Sequence, residues 1–162
     1  MIGSLRGVIL AIEPPRILIE VGGIGYEMLV ADTTLAALQV DQESRLFARQ
    51  IIREDEHFLC GFRDLQERAV FDKLIDVKGC GPKVALAVLS AIGPEGLSTA
   101  VTAGDIRSLT LANGVGTRLA ERIVLELKGK LDGIVTGATS HHAIITMKSD
   151  EVTEALISLG YR

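Results

Sequence analysis

The first 62 residues carry their apolar side chains in short stretches, which turn-forming residues such as Pro14-Pro15 and Gly22-Gly23 separate. Stretches of this length between turn residues are typical of β-strands. The predicted strands occupy residues 2–12, 17–21, 25–30, 44–52 and 56–62, with one helical turn at 33–38. Five or six short strands in about 60 residues predict a small closed barrel of the oligonucleotide-binding type, and a small Greek-key or SH3-like barrel would produce the same pattern.

At Asp64 the apolar spacing changes to the longer period of helices. Asp64 and Glu67 have the spacing of a capping box, which indicates that a helix begins just after Asp64. Gly93-Pro94 and Gly104-Asp105 are expected to interrupt the helices that follow. The predicted helices cover residues 64–77, 83–92, 95–103, 105–112 and 118–131, and the last of them is expected to be the longest.

One motif occurs twice in this helical region, 35 positions apart: Lys78-Gly79-Cys80-Gly81-Pro82-Lys83 and Asn113-Gly114-Val115-Gly116-Thr117-Arg118. Each copy lies between two predicted helices, so the unit is a helix, a Gly-x-Gly turn and a second helix. The glycines permit positive φ angles and a close approach of the backbone to another surface. The N–H groups that open the second helix then form a site for an anion such as phosphate.

Lys83 and Arg118 lie in the first turn of these second helices, where the helix dipole favours an acidic residue. A cation at this place suggests that the anion comes from outside the chain. A single copy would be explained as well by a glycine corner that only packs two helices. Two matched copies with matched cations favour binding of the DNA duplex backbone.

The net charge of −4 is distributed unevenly along the chain. Residues 1–62 contain five Lys and Arg against nine Asp and Glu, whereas residues 63–133 contain ten against nine. The basic residues near the repeated turns are Lys78, Lys83, Arg107, Arg118, Arg122, Lys128 and Lys130. We therefore expect a local positive surface at the turns of an otherwise acidic protein.

Three consecutive carboxylates, Glu54, Asp55 and Glu56, occupy the tip of a predicted hairpin and are followed by His57. A metal-dependent nuclease site is one interpretation, but neighbouring residues of a strand point to opposite faces of the sheet. A solvated turn and a functional acidic tip are the other two interpretations.

Composition argues against several other functions. Aromatic residues make up 4% of the chain and Trp is absent, which disfavours a single-strand binder built on stacking platforms. Neither a Gly-x-x-x-x-Gly-Lys-Ser/Thr loop nor a nucleophile with a base is recognisable, so we expect no intrinsic catalysis, cofactor or metal. Cys60 and Cys80 are isolated and are interpreted as reduced thiols of a cytoplasmic protein. No apolar run has the length of a membrane span.

The domain organisation predicted from these patterns has four parts. A barrel domain covers 1–62, a tandem helix-hairpin-helix domain covers 63–133, and a flexible linker of mostly small and polar residues covers 134–148. Residues 149–162 are predicted to form one amphipathic helix with apolar positions at Val152, Leu156 and Leu159. Because a lone helix of this length is marginally stable in water, we expect it to be the start of an incomplete third domain.

Several of these segments resemble the bacterial RuvA family, which binds Holliday junctions within a branch migration complex. The similar segments are 1–7, 19–27, 53–55, 61–62, 79–87, 114–116 and 120–122. The resemblance extends over nearly all of residues 1–133, and it implies an oligonucleotide-binding-type barrel, a tandem helix-hairpin-helix domain and a homotetramer, with one or two tetramers on a junction. It also implies a third domain that engages the RuvB motor ATPase, which uses ATP and Mg²⁺, with the RuvC resolvase as a further candidate partner and no membrane.

By the same resemblance, the two turns would hold backbone phosphates through Gly79, Gly81, Pro82, Lys83, Gly114, Gly116, Thr117, Arg118 and Arg122. Glu54 and Asp55 would form an acidic pin near the strand crossover, and the terminal helix would contact the motor. Thr117 stands where the family commonly has a lysine, which predicts weaker phosphate binding by the second turn. Because the third domain is represented by one helix, we expect this chain to bind a junction but to support little motor-driven branch migration.

Two competing classes fit the same residues. One is a sequence-independent duplex-binding module, such as the DNA-docking part of a nuclease or ligase. The other is a protein-interaction barrel whose hairpins are structural only.

Overall fold

The computed structural model describes residues 1–54 and 56–135. Five strands are followed by the main helices, as the sequence predicts. In chain order the elements are β1 (Ser4–Glu13), β2 (Arg16–Val21), β3 (Ile24–Val30), α1 (Asp32–Leu35), β4 (Glu43–Ile52), β5 (His57–Phe62), α2 (Leu65–Asp76), α3 (Pro82–Ala103), α4 (Ile106–Thr110), α5 (Thr117–Leu127) and α6 (Asp132–Val135). The predicted fold class, a barrel followed by a helical region, is confirmed.

The strands close into a barrel in the order β1-β2-β3-β5-β4. Strand β3 pairs with β5 in parallel, with Met28 opposite Leu59, and every other pair is antiparallel. This closure between the third and fifth strands is that of an oligonucleotide-binding-type barrel. Alternate inward residues fill the interior: Leu5, Ile9, Ile17, Ile19, Met28, Val30, Leu46, Ala48 and Leu59.

Helix α2 begins at the predicted cap, since the Asp64 carboxylate accepts a hydrogen bond from the Glu67 N–H at 2.7 Å. The Glu67 carboxylate accepts in turn from the N–H of Arg63 at 2.8 Å, one residue earlier than in a standard capping box. Only 1% of Glu67 is exposed, and the buried hydroxyl of Thr34 in α1 donates to it at 3.3 Å. The cap of α2 therefore also joins this helix to α1, which lies between strands β3 and β4 of the barrel.

The barrel and the helices share one apolar core. Phe62 at the end of β5 packs on Phe71 of α2 with ring centroids 4.8 Å apart, and both side chains are fully buried. Two polar contacts join the same surfaces. The Ser90 hydroxyl of α3 accepts from the Asp32 N–H at 2.9 Å, and Arg49 of β4 pairs with Asp72 of α2 at 3.3 Å. Since these contacts come from several elements, the angle between barrel and helices is set by packing.

The largest differences from the prediction lie at the end of α5 and at the start of the predicted linker. Helix α5 ends at Leu127 and not at 131, because Lys128 adopts a ψ of 123° and Gly129 a φ of 74°, in a turn that the Lys130 N–H closes on the Leu127 carbonyl at 2.9 Å. With 11 residues α5 is shorter than α2, so the expectation that it is the longest helix is wrong. The chain then turns so that Leu131 enters the core, where it is 1% exposed. The two described residues of the predicted linker, 134 and 135, belong to the single helical turn of α6, and the Val135 carbonyl accepts from Gln66 at 3.4 Å. Residues 136–162 lie outside the described residues, and with them the predicted terminal helix.

Helix α3 is the one helix in the described part of the chain with the length and apolar composition of a membrane span. It is interrupted at Gly93, which has φ 65° and ψ 176°, and it restarts at Pro94. Neither half approaches the roughly 20 residues that a span requires. Leu89 and Leu97, on either side of the interruption, are fully buried. These are the features of a core helix.

We expect Glu67 to make the stability of the fold depend on pH. Burial, its largest cause, raises the pKa of the Glu67 carboxyl above its ordinary value, although the Arg63 N–H opposes it. The folded protein then binds this proton more tightly than the unfolded chain does. The stability that protonated Glu67 contributes is therefore fully present below the pKa of Glu67 in the unfolded chain, and it is lost as pH rises through the pKa in the folded protein.

Replacing Glu67→Gln removes the titration and keeps an oxygen acceptor for the Arg63 N–H. The free energy of unfolding of wild type minus that of the variant should decrease between pH 4 and pH 7, as measured by urea titration at each pH. Glu121→Gln, at an exposed position of α5, is the control. A difference that rises with pH would contradict the assignment.

Candidate nucleic-acid interface

The two repeated turns have the same backbone conformation. Gly79 and Gly114, the first glycines, have φ angles of 94° and 83°. The apolar residue after each glycine is buried, and its N–H donates to the carbonyl three residues earlier. These bonds join Cys80 to Val77 at 2.9 Å and Val115 to Ala112 at 3.1 Å. The repeat in sequence is therefore a repeat in structure.

The second glycines are not required by the fold of the chain. Gly81 and Gly116 are the N-caps of α3 and α5, with extended angles near φ −76°, ψ 169° and φ −87°, ψ 170°. These are angles that any residue adopts. A Cβ added to either glycine would meet no atom within 4 Å. Glycine here leaves the space above each helix N-terminus open.

The turns hold each other through reciprocal contacts. A Cβ on Gly79 would lie 3.8 Å from Leu119 Cδ1 of the second unit, and one on Gly114 would lie 3.3 Å from Val84 Cγ2 of the first. Val84 and Leu119 are equivalent positions of the 35-residue repeat. The contacts are therefore exchanged about a local pseudo-two-fold axis, which brings the N-termini of α3 and α5 together on one surface.

Each helix N-terminus offers free donors and an exposed cation. The first helical acceptors are the carbonyls of Gly81 and Gly116, which accept from Ala85 and Ala120 at 2.9 Å. The N–H groups before these donors have no partner within the helix. Lys83 and Arg118 are exposed, and neither makes an ion pair within the described part of the chain.

The residues at the first helical position differ between the two units. Pro82 is buried and has no N–H, so its contribution is the helix start and not a donor. Thr117 is exposed and brings both an N–H and a hydroxyl. Thr117 thus lacks the charge of the lysine that the family commonly has at this position, but it gives the second site two hydrogen-bond donors that Pro82 does not give the first.

Arg122 is already engaged within the protein. Its Nη1 donates to the carbonyl of Lys78 at 2.9 Å, and its Nε lies 3.8 Å from the Glu126 carboxylate. Sequence reasoning placed this side chain on the outer face of α5, and 46% of it is exposed. The contact with the first turn had no sequence signal, because 44 residues separate the partners.

Two clefts connect the turns with the barrel. A cleft of about 800 Å³ lies between them and is lined by Lys83 and Asn113 of the two turns and by Arg16 of the barrel. A second cleft of about 300 Å³ is lined by Lys83, Arg16 and also His57, which follows the acidic tip. Arg16 was not selected from the sequence, where it is one charge at the start of an apolar strand.

The acidic tip is the turn between β4 and β5. The N–H of Arg53 donates to the Glu56 carbonyl at 2.9 Å and closes the turn, and Glu54 is exposed. Asp55 lies outside the described residues. Among the residues that the structure does describe, no three His, Cys, Asp or Glu side chains gather as metal ligands would.

Both cysteines are buried free thiols. Burial is the main cause that raises the pKa of the Cys60 thiol to about 12 and the pKa of the Cys80 thiol to about 11. A thiol of this kind stays protonated near neutral pH and is a poor nucleophile.

Comparison with known proteins assigns both parts of the chain. Residues 1–61 match the family model for the RuvA N-terminal domain, and residues 71–130 match the model for a SAM-like helix-hairpin-helix tandem.

Three curated relatives bear the name Holliday junction branch migration complex subunit RuvA. The protein of Actinobacillus pleuropneumoniae serotype 5b (strain L20) is 39% identical, that of Haemophilus influenzae (strain 86-028NP) is 41% identical and that of Serratia proteamaculans (strain 568) is 40% identical. Each comparison covers 100% of this chain and 85% of the relative. With its barrel, its paired hairpins and this similarity over its whole length, the chain belongs to the RuvA family.

Proposed function

We propose that this protein binds four-way (Holliday) junction DNA by its shape and holds it open for ATP-driven branch migration by a partner motor of the RuvB kind. This activity serves homologous recombination and DNA repair in the cytoplasm. The proposal rests above all on one observation, the two equivalent helix N-termini that lie side by side with an exposed cation at each.

Each helix N-terminus is suited to one backbone phosphate. Its free N–H groups and the positive end of the helix dipole attract the anion, and the open glycine lets it approach. Lys83 and Arg118 add a full charge at each site. We assign these contacts to Gly79, Gly81, Lys83, Gly114, Gly116, Thr117 and Arg118. Contacts to phosphate position a duplex without reading its bases, so binding is independent of sequence.

Selectivity for a junction comes from assembly and from repulsion. Four copies around a four-fold axis would present a pair of hairpins to each of the four arms. Their tips, with Glu54 and Asp55, would meet at the centre, where they repel phosphates. This penalises a continuous duplex across the middle and guides separated strands outward.

The protein supplies binding and not chemistry. It needs no cofactor or metal of its own in this proposal, and the motor uses the ATP and Mg²⁺. Its curated relatives are named as subunits of a branch migration complex, which supports a motor partner for this chain too. The RuvC resolvase is a second candidate partner.

A gel-shift comparison of a four-way junction with linear duplex of equal arm length, at one stated salt concentration, tests the proposal. We expect clear preference for the junction. Equal affinity for both would favour a duplex-docking module, and no binding to either would favour a protein-interaction barrel.

The cations at the helix N-termini should determine the salt dependence of binding. Replacing Lys83→Ala together with Arg118→Ala should weaken binding to junction and duplex alike, because fewer DNA phosphates are neutralised. The slope of log K against log salt is negative, and its magnitude should decrease by about 0.9 for each phosphate that the protein no longer neutralises. Arg45→Ala, an exposed cation of the barrel, is the control. An unchanged slope in the double variant would show that the hairpins are structural only.

The open glycines should matter for DNA and not for folding. Gly81→Ala and Gly116→Ala fit the free chain without a clash, so the melting temperature should change little. Each added methyl group stands where a phosphate approaches, and junction affinity should fall at least tenfold, about 1.4 kcal/mol of binding free energy. Gly133→Ala, which also meets nothing within 4 Å, is the matched control. Full affinity in both variants would contradict the phosphate sites.

The acidic tip should lower affinity for the wrong substrate. Glu54→Gln with Asp55→Asn should raise affinity for linear duplex more than for the junction, since the central repulsion is removed. The pair Glu20→Gln and Asp41→Asn changes the net charge equally elsewhere on the barrel. Loss of junction binding in the tip variant, or DNA cleavage by wild type with added Mg²⁺, would falsify the repulsive pin.

A further inference from the structure

Arg122 forms a contact between the two hairpin units. It projects from α5 of the second unit, and its guanidinium donates to the backbone carbonyl of Lys78 at 2.9 Å. Lys78 comes directly before Gly79, the positive-φ glycine of the first turn. A hydrogen bond from a charged donor is stronger than one between neutral groups.

This contact is not reciprocal. The glycine contacts are exchanged between equivalent positions, but the residue 35 positions before Arg122 is Ala87, which has no donor on its side chain. Ala87 cannot, therefore, do for the Asn113 carbonyl what Arg122 does for that of Lys78. The first turn therefore receives a side-chain hydrogen bond from the second unit, and the equivalent position of the first unit gives none to the second turn.

The hydrogen bond orients a whole peptide group. The carbonyl of Lys78 and the N–H of Gly79 belong to one rigid plane, so holding the carbonyl also sets the direction of the N–H. That plane begins the turn leading to Gly81 and Lys83. The bond from the Cys80 N–H to the Val77 carbonyl closes the turn around this peptide group at 2.9 Å, but neither the Lys78 carbonyl nor the Gly79 N–H takes part in it.

Glu126 assists from the next turn of α5. Its carboxylate lies 3.8 Å from Arg122 Nε, at the i, i+4 spacing that places two side chains side by side on a helix. Both side chains are more than a third exposed, so the pair contributes little stability by itself. Its effect is to favour the rotamer in which Nη1 reaches the first turn.

We propose that Arg122 is a positioning residue for the first phosphate site: it holds the Lys78–Gly79 peptide so that the turn presents Lys83 and its neighbouring N–H groups to DNA. This rests on the proposed function of the two hairpins. Arg122 acts through the Lys78 carbonyl, and its removal weakens the first site while the Arg118 site remains intact.

The first test uses the DNA-free protein and the variant Arg122→Met, which has similar length but neither charge nor donor. The ¹H and ¹⁵N shifts of the Gly79 amide should move, because this amide shares the peptide group of the Lys78 carbonyl. The Gly114 amide should not move. Arg118→Met is the matched control and should leave the Gly79 amide unchanged. An unmoved Gly79 amide in Arg122→Met overturns the proposal whether or not the protein prefers junctions.

The second test measures junction binding in a double-mutant cycle. Arg122→Met should weaken binding about tenfold, the effect of removing one charge-assisted hydrogen bond. Combined with Lys83→Ala it should add little, whereas combined with Arg118→Ala the two effects should multiply. If Arg122 instead contacted a DNA phosphate directly, removing it in the Lys83→Ala background would decrease the magnitude of the salt slope by a further amount of about 0.9.

That further fall, or a Gly79 amide that moves while junction affinity stays at the wild-type value, overturns the positioning role. If Arg122→Met does not fold, Arg122→Leu, which also lacks a charge and a donor, takes its place in both tests. Failure of wild type to prefer the junction would instead count against the proposed function, and the amide shifts would still decide the role of Arg122.

Discussion

The reciprocal contact between the two turns is the constraint on which the functional surface depends. Gly79 lies against Leu119 and Gly114 lies against Val84, and a Cβ would make ordinary contact at 3.8 Å on Gly79 and a tight one at 3.3 Å on Gly114. Both glycines also need positive φ angles, which other residues adopt only with strain. The two helix N-termini are therefore adjacent because each turn packs on the helix that the other begins.

The barrel is joined to this pair of hairpins by buried contacts and not by a linker. Phe62 and Phe71 belong to one core, and the buried Glu67 accepts hydrogen bonds from both Thr34 and the backbone of Arg63. The turn between β4 and β5 and the proposed phosphate sites are consequently held on one packed core. Such an arrangement is what shape recognition requires, since attraction at the arms and repulsion at the centre must act on one substrate together.

Local signals made most of the fold predictable. The strands follow from turn residues between short apolar stretches, and the start of α2 follows from Asp64 and Glu67, which form their cap within a few residues of each other. The end of α5 was not predicted, because the apolar spacing continues to Leu131 while Gly129 turns the chain. The contact of Arg122 with Lys78 had no local signal, since its partners meet only after both helices have packed.

The sequence by itself determined that there are two equivalent turns, each with two glycines and a cation at a helix N-terminus, because this motif is local and repeats at a constant spacing. It also determined a small closed barrel ahead of the helices. Only the tertiary structure decided the strand order, the adjacency of the two sites, the burial of Pro82 and the one-way contact made by Arg122. These features depend on contacts between residues far apart in the chain, whose geometry is set by packing and leaves no pattern in either segment alone.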